Sequence, residues 1–295
     1  MALSEATKSG TEASHRAPGF ALVGVAISSV QFGSAIADKL FAQIGPSGAV
    51  LLRLVSAAVV LIALWRPSLA GRTRAELRLA AAFGLVLAAM NLCFYAGLHR
   101  IPLGIAVTIE FVGPLTVAVV SSRRPRDLLW VGLAVAGILA LTRGGTTHLS
   151  GIGILFALLA GGFWGTYIVL NARLGKAFAG GSGLALAMCV AAVIGLPFGI
   201  ADGGAHLLSA HALLLGSAVG MLSSAIPYSC EVEALRRIDQ GVFAVLMSME
   251  PAVAAFAGFV VLGQGLALRA LLGIVLVVAA SLGASVGSRR PPVAV

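Results

Sequence analysis

Ten times along its length the chain turns apolar for a stretch long enough, or nearly long enough, to cross a bilayer. The runs lie at about Gly19–Leu40, Ser47–Trp65, Leu79–Leu98, Leu103–Val120 and Leu128–Leu141, then at Gly151–Leu170, Gly183–Ile200, Ala210–Ala234, Gly241–Leu262 and Ala267–Gly287. A helix rises about 1.5 Å per residue against a hydrocarbon core of about 30 Å, so each run reads as a membrane helix. Leu128–Leu141 is the shortest and needs its neighbours to complete a span. Composition agrees: the chain is 59% hydrophobic and 11% charged with a mean hydropathy of +1.02, whereas a soluble domain carries about a quarter charged residues. The 37 glycines suit close packing of such helices.

The short links between runs set the topology. Lys8, Arg16, Arg66, Arg72, Arg74, Arg78, Arg123, Arg124, Arg126, Arg173, Lys176, Arg236, Arg237, Arg289 and Arg290 fall on one side. Only Lys39, Arg100, Arg143 and Arg269 fall on the other, with Arg53 inside a helix. Basic residues stay in the cytoplasm, so both termini are expected there. The same clustering argues against reading the net charge of +9 as a nucleic-acid surface. Five spans are an odd number, so the second set of five enters from the opposite face, and the two sets are inverted repeats. The link between them, Thr142–Ser150, is polar and glycine-rich. Residues 1–18 lack the apolar core of a cleavable signal and read as a disordered cytoplasmic tail, and residues 288–295 as a second tail. The repeats are then 19–142 and 151–287. The expected fold is an all-α integral membrane protein of ten transmembrane helices, two inverted five-helix repeats around a central cavity.

Leu103–Val120 carries a carboxylate, Glu110, and a proline, Pro114, in the middle of its apolar run. An acid at that depth costs several kcal/mol unless paired, neutralised or wetted, which makes a purely structural role a poor explanation. Pro114 deprives the carbonyl four residues back, that of Glu110, of its donor. The design recurs 137 residues later. That offset sets Arg100 and Ile101 on Arg237 and Ile238, Gly104 on Gly241, and Pro114 on Pro251, while Glu250 falls one turn from the position of the first acid. A weaker match at an offset of 132 sets Gly19, Phe32 and Gly33 on Gly151, Trp164 and Gly165. Internal duplication accounts for both registers.

Glu110 and Glu250 are therefore the first candidates for binding a substrate amine or exchanging protons, against the alternative of a buried hydrogen bond between helices. Arg53 stands about six residues, roughly 9 Å, into its helix. It could receive a substrate carboxylate or serve as counter-ion to Glu110, or it could snorkel to the outer surface. Gln31, Asn91, Tyr95, Trp164, Tyr167, Tyr228 and Ser248 are candidate cavity-lining groups, for each of which helix packing is the plainer reading. Pro114, Pro227 and Pro251 are expected to bend their helices. Glu231 and Glu233 sit close to Arg236 and Arg237, and an interfacial ion pair is the reading there. Cys93, Cys189 and Cys230 read as buried thiols, and His15, His99, His148, His206 and His211 lack ligand spacing, so neither metal nor cofactor is expected. An enzyme is not expected either: no HxxxH, HExxH or DDxxD motif occurs, and Gly283–Gly287 matches GxSxG by chance at a helix end.

Certain segments are similar to a known family. Arg100–Pro125 resembles the fourth helix of bacterial threonine/homoserine exporters, members of the EamA branch of the drug/metabolite transporter superfamily. Ser223–Glu231 and Leu246–Ala255 resemble that group's eighth and ninth helices, and the similarity spans about Gly19 to Gly287. By position Arg53, Glu110, Pro114, Tyr228, Glu231, Glu250 and Pro251 match the family pattern, while Gln264 stands where the family often has glutamate. The resemblance implies a multi-pass protein of the bacterial cytoplasmic membrane that exports small amino acids in exchange for protons. Its partners would be the amino acid, protons and the lipid bilayer. Two rivals are a broader metabolite or drug efflux pump, which wants an aromatic-lined cavity where only 6% of this chain is aromatic, and a membrane scaffold, which leaves two mid-membrane acids unexplained.

Overall fold

A computed structural model describes residues 2–122, 128–142, 149–238 and 240–287, with side chains from Pro18 onward except those of residues 121–122, 141–142, 232, 235, 240–241 and 284–287. Arg123, Arg124, Arg126, Arg143, His148, Arg289 and Arg290 lie outside the described residues, as do the side chains of Lys8, His15 and Arg16 and most of the link between the repeats. The described secondary structure is helical. The order is α1 (Ala2–Trp65), α2 (Arg74–Leu98), α3 (Leu103–Glu110), α4 (Val112–Ser122), α5 (Leu128–Thr142), α6 (Gly151–Ala177) and α7 (Ser182–Gly203). A 3₁₀ turn (Gly204–Leu208), α8 (Ala210–Gly220), a π-turn (Met221–Ala225), α9 (Ile226–Leu235), α10 (Gln240–Met247), α11 (Glu250–Leu262) and α12 (Leu268–Gly287) follow.

Among the described residues seven segments are long and apolar enough to cross a membrane, and Leu128–Ala140 and Leu268–Gly283 are shorter apolar helices. The first segment, Pro18–Trp65, has 48 residues, about 72 Å of helix and more than twice the hydrocarbon thickness. It is not one rod. Gly45, at φ 67° and ψ 167°, interrupts the helix just before Pro46, in the gap between the first two apolar runs. The arm that starts there is capped from another helix, because Ser47 N–H donates to Asp202 Oδ2 of α7 at 3.0 Å. A side chain at position 45 would collide with Asp202.

Other helix ends are closed by their own sequence. Thr73 and Glu76 form a capping box on α2, and the Ser150 and Ser209 hydroxyls accept the Gly153 and Ala212 amides at 3.2 Å. Gly263, in the left-handed region, ends α11. Two spans break beside their prolines: α3 stops at Glu110 and α4 starts at Val112, two residues before Pro114, and α10 stops at Met247 before α11 starts at Glu250.

The main packing partners lie in opposite halves of the chain: α1 with α7 and α8, α2 with α6, α3 with α11, α5 with α12. The core is apolar, yet large apolar side chains also cover the outside and a few polar ones are enclosed. Val59, Val120, Leu129, Leu214 and Val275 are exposed, whereas Gln31, Arg53, Asn91, Glu110 and Glu250 are buried. Apolar surface of that kind is stable against lipid chains, and the buried polar groups then mark an internal site.

Candidate functional site

A cavity of about 130 Å³, well beyond the roughly 10–15 Å³ a single water needs, is lined by residues of α1, α2, α3, α6, the π-turn, α9, α10 and α11. Four polar or charged groups come from α1 and α2: Gln31, Ser34, Arg53 and Asn91. Opposite them stand three carboxylates, Glu110 at the end of α3, Glu231 on α9 and Glu250 at the start of α11. Phe94, Trp164, Tyr167 and Tyr228 supply rings, and Ser223 and Pro227 bring the π-turn and the start of α9 to the wall.

Arg53 is held inward, which excludes snorkelling to the outer surface. Its side chain is buried, and Nη2 donates to Ser223 O at 2.9 Å, Nε to Ser224 Oγ at 3.3 Å and Nη1 to Tyr95 OH at 3.3 Å. The guanidinium carbon lies 5.6 Å from the Tyr95 ring centroid. One fork thus ties the second arm of α1 to α2 and to the π-turn, a use of several donors at once that a lysine cannot match.

The π-turn explains why that carbonyl is available. Ile226 N–H donates to Met221 O, five residues back. Pro227 has no N–H to offer either Leu222 O or Ser223 O. Both carbonyls are taken by α1: Ser29 Oγ donates to Leu222 O at 2.6 Å and Arg53 to Ser223 O. Sequence reading expected a bend at Pro227; the π-turn before it was not foreseen.

Glu110 ends the helix before one break, and Glu250 begins the helix after the other. Among the described residues no hydrogen bond or ion pair reaches the carboxylates of Glu110, Glu231 or Glu250, so all three are presented to the cavity. Glu110 lies within Coulomb range of Arg53, and Glu250 within range of both other acids. Against the backbone of Glu110, Gly161 lets α6 approach closely; a side chain there would strike the Glu110 carbonyl that Pro114 leaves without a helical donor.

Glu231 corrects the sequence reading. Its neighbour Glu233 takes both arginines, with Arg236 Nη1 at 3.2 Å and Arg237 Nη2 at 2.6 Å, at the exposed helix end. Two residues on a helix are about 200° apart, so a Glu233 that faces the arginines turns Glu231 into the protein. Hydrogen bonds from Arg236 and Arg237 hold the Glu233 carboxyl below the usual carboxylate range.

Two expected lining groups are elsewhere. Tyr95 is fully buried behind Arg53, against Phe41 and Phe94, and touches the site only through its hydroxyl. Ser248 shares a hydrogen bond with Ser281 Oγ at 2.8 Å and donates to Ala244 O, tying the α10–α11 break to α12. Among those that do line the cavity, Asn91 Nδ2 donates to Leu87 O at 2.8 Å, Trp164 meets Phe111 edge-on, and Tyr167 stacks on Phe83. Cys93, Cys189 and Cys230, expected to be buried, are free and half-buried. Ser34 and Ser223 were not singled out in the sequence. The small helical serine looks alike in every context, and only its missing partner distinguishes it.

Gln264, the departure from the family pattern, retains a contact between halves: its Oε1 accepts the Leu103 amide at the start of α3 at 3.0 Å.

Comparison with known proteins places this geometry. The family model for EamA-like transporters matches residues 151–286. The chain is 42% identical to the threonine/homoserine exporter RhtA of Salmonella typhimurium (strain LT2) over 91% of each chain. It is 41% identical to that of Escherichia coli (strain K12) over 90% of each. A solved crystal structure shares the fold with a TM-score of 0.63 over 91% of this chain and 97% of its own, at 16% identity. A multi-helix membrane scaffold with a polar internal cavity and relatives this similar over nearly the whole length leaves one assignment: the chain belongs to the EamA-like transporter family.

Proposed function

We propose that this protein exports small polar amino acids of the threonine and homoserine type across the bacterial cytoplasmic membrane, in exchange for protons. One observation carries the reading: a cavity among apolar helices holds a fixed guanidinium and three carboxylates that have no ion-pair partner among the described residues. An amino acid is a zwitterion. Its carboxylate fits the fork of Arg53, and its ammonium fits Glu110, Glu231 and Glu250. Relatives that cover most of the chain are named for threonine and homoserine export.

Coupling would follow from the acids. Each carboxylate is tolerable in the membrane when protonated or when engaged by an ammonium. Substrate and proton then compete for one site, which is antiport. The helix breaks at Pro114 and Pro251 would supply the moving joints, and rocking of one repeat against the other would alternate access. This reading takes the chain as ten spans in two inverted repeats with both termini cytoplasmic. In its support, the break at Gly45 divides the first long segment, the two shorter apolar helices complete the count, and spans matched by the repeat pack together, α3 of the fourth against α11 of the ninth and α5 against α12.

The test uses purified protein in liposomes loaded with labelled threonine, with and without an imposed pH gradient. Gradient-dependent efflux that is lost in Glu110→Gln or Glu250→Gln is expected. Efflux indifferent to the gradient removes proton coupling. A second reading rests on the four rings at the wall: if threonine stays inside while aromatic or cationic compounds cross, the protein is a broader efflux pump.

A further inference from the structure

Among the described residues, three buried polar atoms of cavity-lining side chains have no hydrogen-bond partner: Gln31 Oε1, Ser34 Oγ and Ser223 Oγ. Each belongs to a residue at most 2% exposed, and each residue lines the cavity. Buried polar atoms are almost always paired, so three orphans on one wall call for an explanation.

Helical serine and threonine have a ready partner in the carbonyl four residues back. Thr108, Thr116, Thr166, Ser229 and Ser248 all use it, donating to Gly104, Val112, Gly162, Ala225 and Ala244. Ser34 and Ser223 do not. Nor is their proximity to each other an accident of loose packing. Gly33 presses α1 against the π-turn so closely that a side chain there would overlap Ser223 Oγ and Leu222 Cβ. Gln31 and Ser34 are one turn apart on α1 and so share a face. Gly33, between them in sequence, sets this stretch of α1 against Ser223, and all three residues line one cavity; the Ser223 carbonyl anchors Arg53.

We infer that Gln31, Ser34 and Ser223 form a subsite for the side-chain hydroxyl of the substrate, next to the guanidinium that would hold its carboxylate. This assignment rests on the export reading above and adds to it the residues that would set specificity. The chemistry is complementary. A substrate hydroxyl donates one hydrogen bond and accepts others; Gln31 Oε1 can only accept, and a serine hydroxyl can do either. A hydroxyl on the β-carbon or one carbon further out would find a partner among three atoms spread over two elements, which accounts for one site serving both threonine and homoserine. An apolar side chain of the same shape would leave the three atoms unpaired. Discrimination of that kind is strong, because the site's buried polar groups lose their partners when the hydroxyl is missing.

Valine is the probe, since it replaces the threonine hydroxyl by a methyl group of nearly the same size. Efflux of labelled threonine and of labelled valine is measured from liposomes containing wild type, Gln31→Met, Ser34→Ala or Ser223→Ala, and the threonine-to-valine ratio is the readout. Wild type is expected to favour threonine by about a hundredfold or more. The ratio should fall about tenfold in Gln31→Met and several-fold in each serine variant. The serine variants remove one oxygen and keep the packing, so a folded protein is available even if Gln31→Met is not. A variant in which both substrates fall together, with the ratio unchanged, overturns the subsite and gives these residues a packing role. Equal transport of threonine and valine by wild type also overturns it while leaving the export reading standing. A wild type that moves no threonine overturns the export reading, and the subsite with it.

Discussion

Pro227 stands four residues beyond Ser223, and the carbonyl it cannot serve is the one that receives Arg53 Nη2 at 2.9 Å. A missing backbone donor on α9 thus fixes a charged side chain on α1. Pro227→Ala restores an N–H that competes for Ser223 O and favours an ordinary helical turn over the π-turn. The expected result is a several-fold rise in the KM for threonine efflux with the protein still folded. Arg53→Lys should be more severe. Hydrogen bonds to charged groups contribute about 1.5–3 kcal/mol each, so losing even one costs about tenfold or more in transport. Initial efflux rates against internal threonine concentration check both. Wild-type kinetics in either variant would show that the anchored fork has no part in transport.

Glu231 and Glu233, two residues apart, should respond in opposite ways to the same substitution. Glu231→Gln removes one of three cavity carboxylates and is expected to abolish gradient-driven efflux, as Glu110→Gln would. Glu233→Gln breaks exposed pairs with Arg236 and Arg237, which water already screens, and transport should stay within about twofold of wild type. Parallel measurements in one liposome preparation decide it. Equal loss in both variants would mean that the helix end, and not the cavity, is what Glu231 supports.

The contrast also shows how far the sequence could be read. Apolar runs locate the spans because the bilayer sets their length, and the gap between Leu40 and Ser47 contains the break at Gly45. The two interruptions beside Pro114 and Pro251 follow from proline's missing donor, so they too are visible in a string of letters. Facing directions are harder. The i,i+4 spacing of Glu233 and Arg237 says which side of α9 meets the arginines, and Glu231 lies about half a turn from it, on the cavity side. Ser34 and Ser223 were out of reach, because whether a helical serine bonds its own backbone depends on what packs beside it. Nor does any local pattern separate a π-turn from an α-helix at Met221–Ala225 until the interhelical bonds from Ser29 and Arg53 are seen. Tyr95 and Ser248 were placed near the right chemistry but one layer away from the cavity.

Protonation of the cap on α2 gives a pH-dependent stability outside the membrane. The Glu76 carboxyl is held below its ordinary range, first by the Thr73 backbone amide and hydroxyl and then by Arg72. A carboxyl lowered on folding stabilises the fold above its unfolded pKa, and that contribution disappears as pH falls through the folded value. Wild type should therefore unfold at a higher temperature than Glu76→Gln at neutral pH. The two curves should converge as the pH falls below 4.5, the ordinary value for this group. Thermal unfolding in detergent at a series of pH values measures the gap. A gap that persists at low pH would assign the stabilisation to packing of the side chain instead of its charge.

Gln264 offers the converse test, a charge added where the family pattern has one. Its Oε1 accepts the Leu103 amide at the first turn of α3, the helix that ends on Glu110. Pro102 precedes that turn without a side-chain cap of its own, so the only described side-chain acceptor for it comes across from the loop before α12. Helix N-termini favour negative charge by about 0.3–1 kcal/mol at exposed positions. Gln264→Glu should therefore raise the unfolding temperature by a degree or more, and Gln264→Ala should lower stability by about 1 kcal/mol, as loss of a cap does elsewhere. The same bond joins the two halves, so strengthening it also holds them together at this end. Gln264→Glu is accordingly expected to slow efflux while it stabilises the fold. A variant that is both more stable and faster would show that this contact does not have to open during transport.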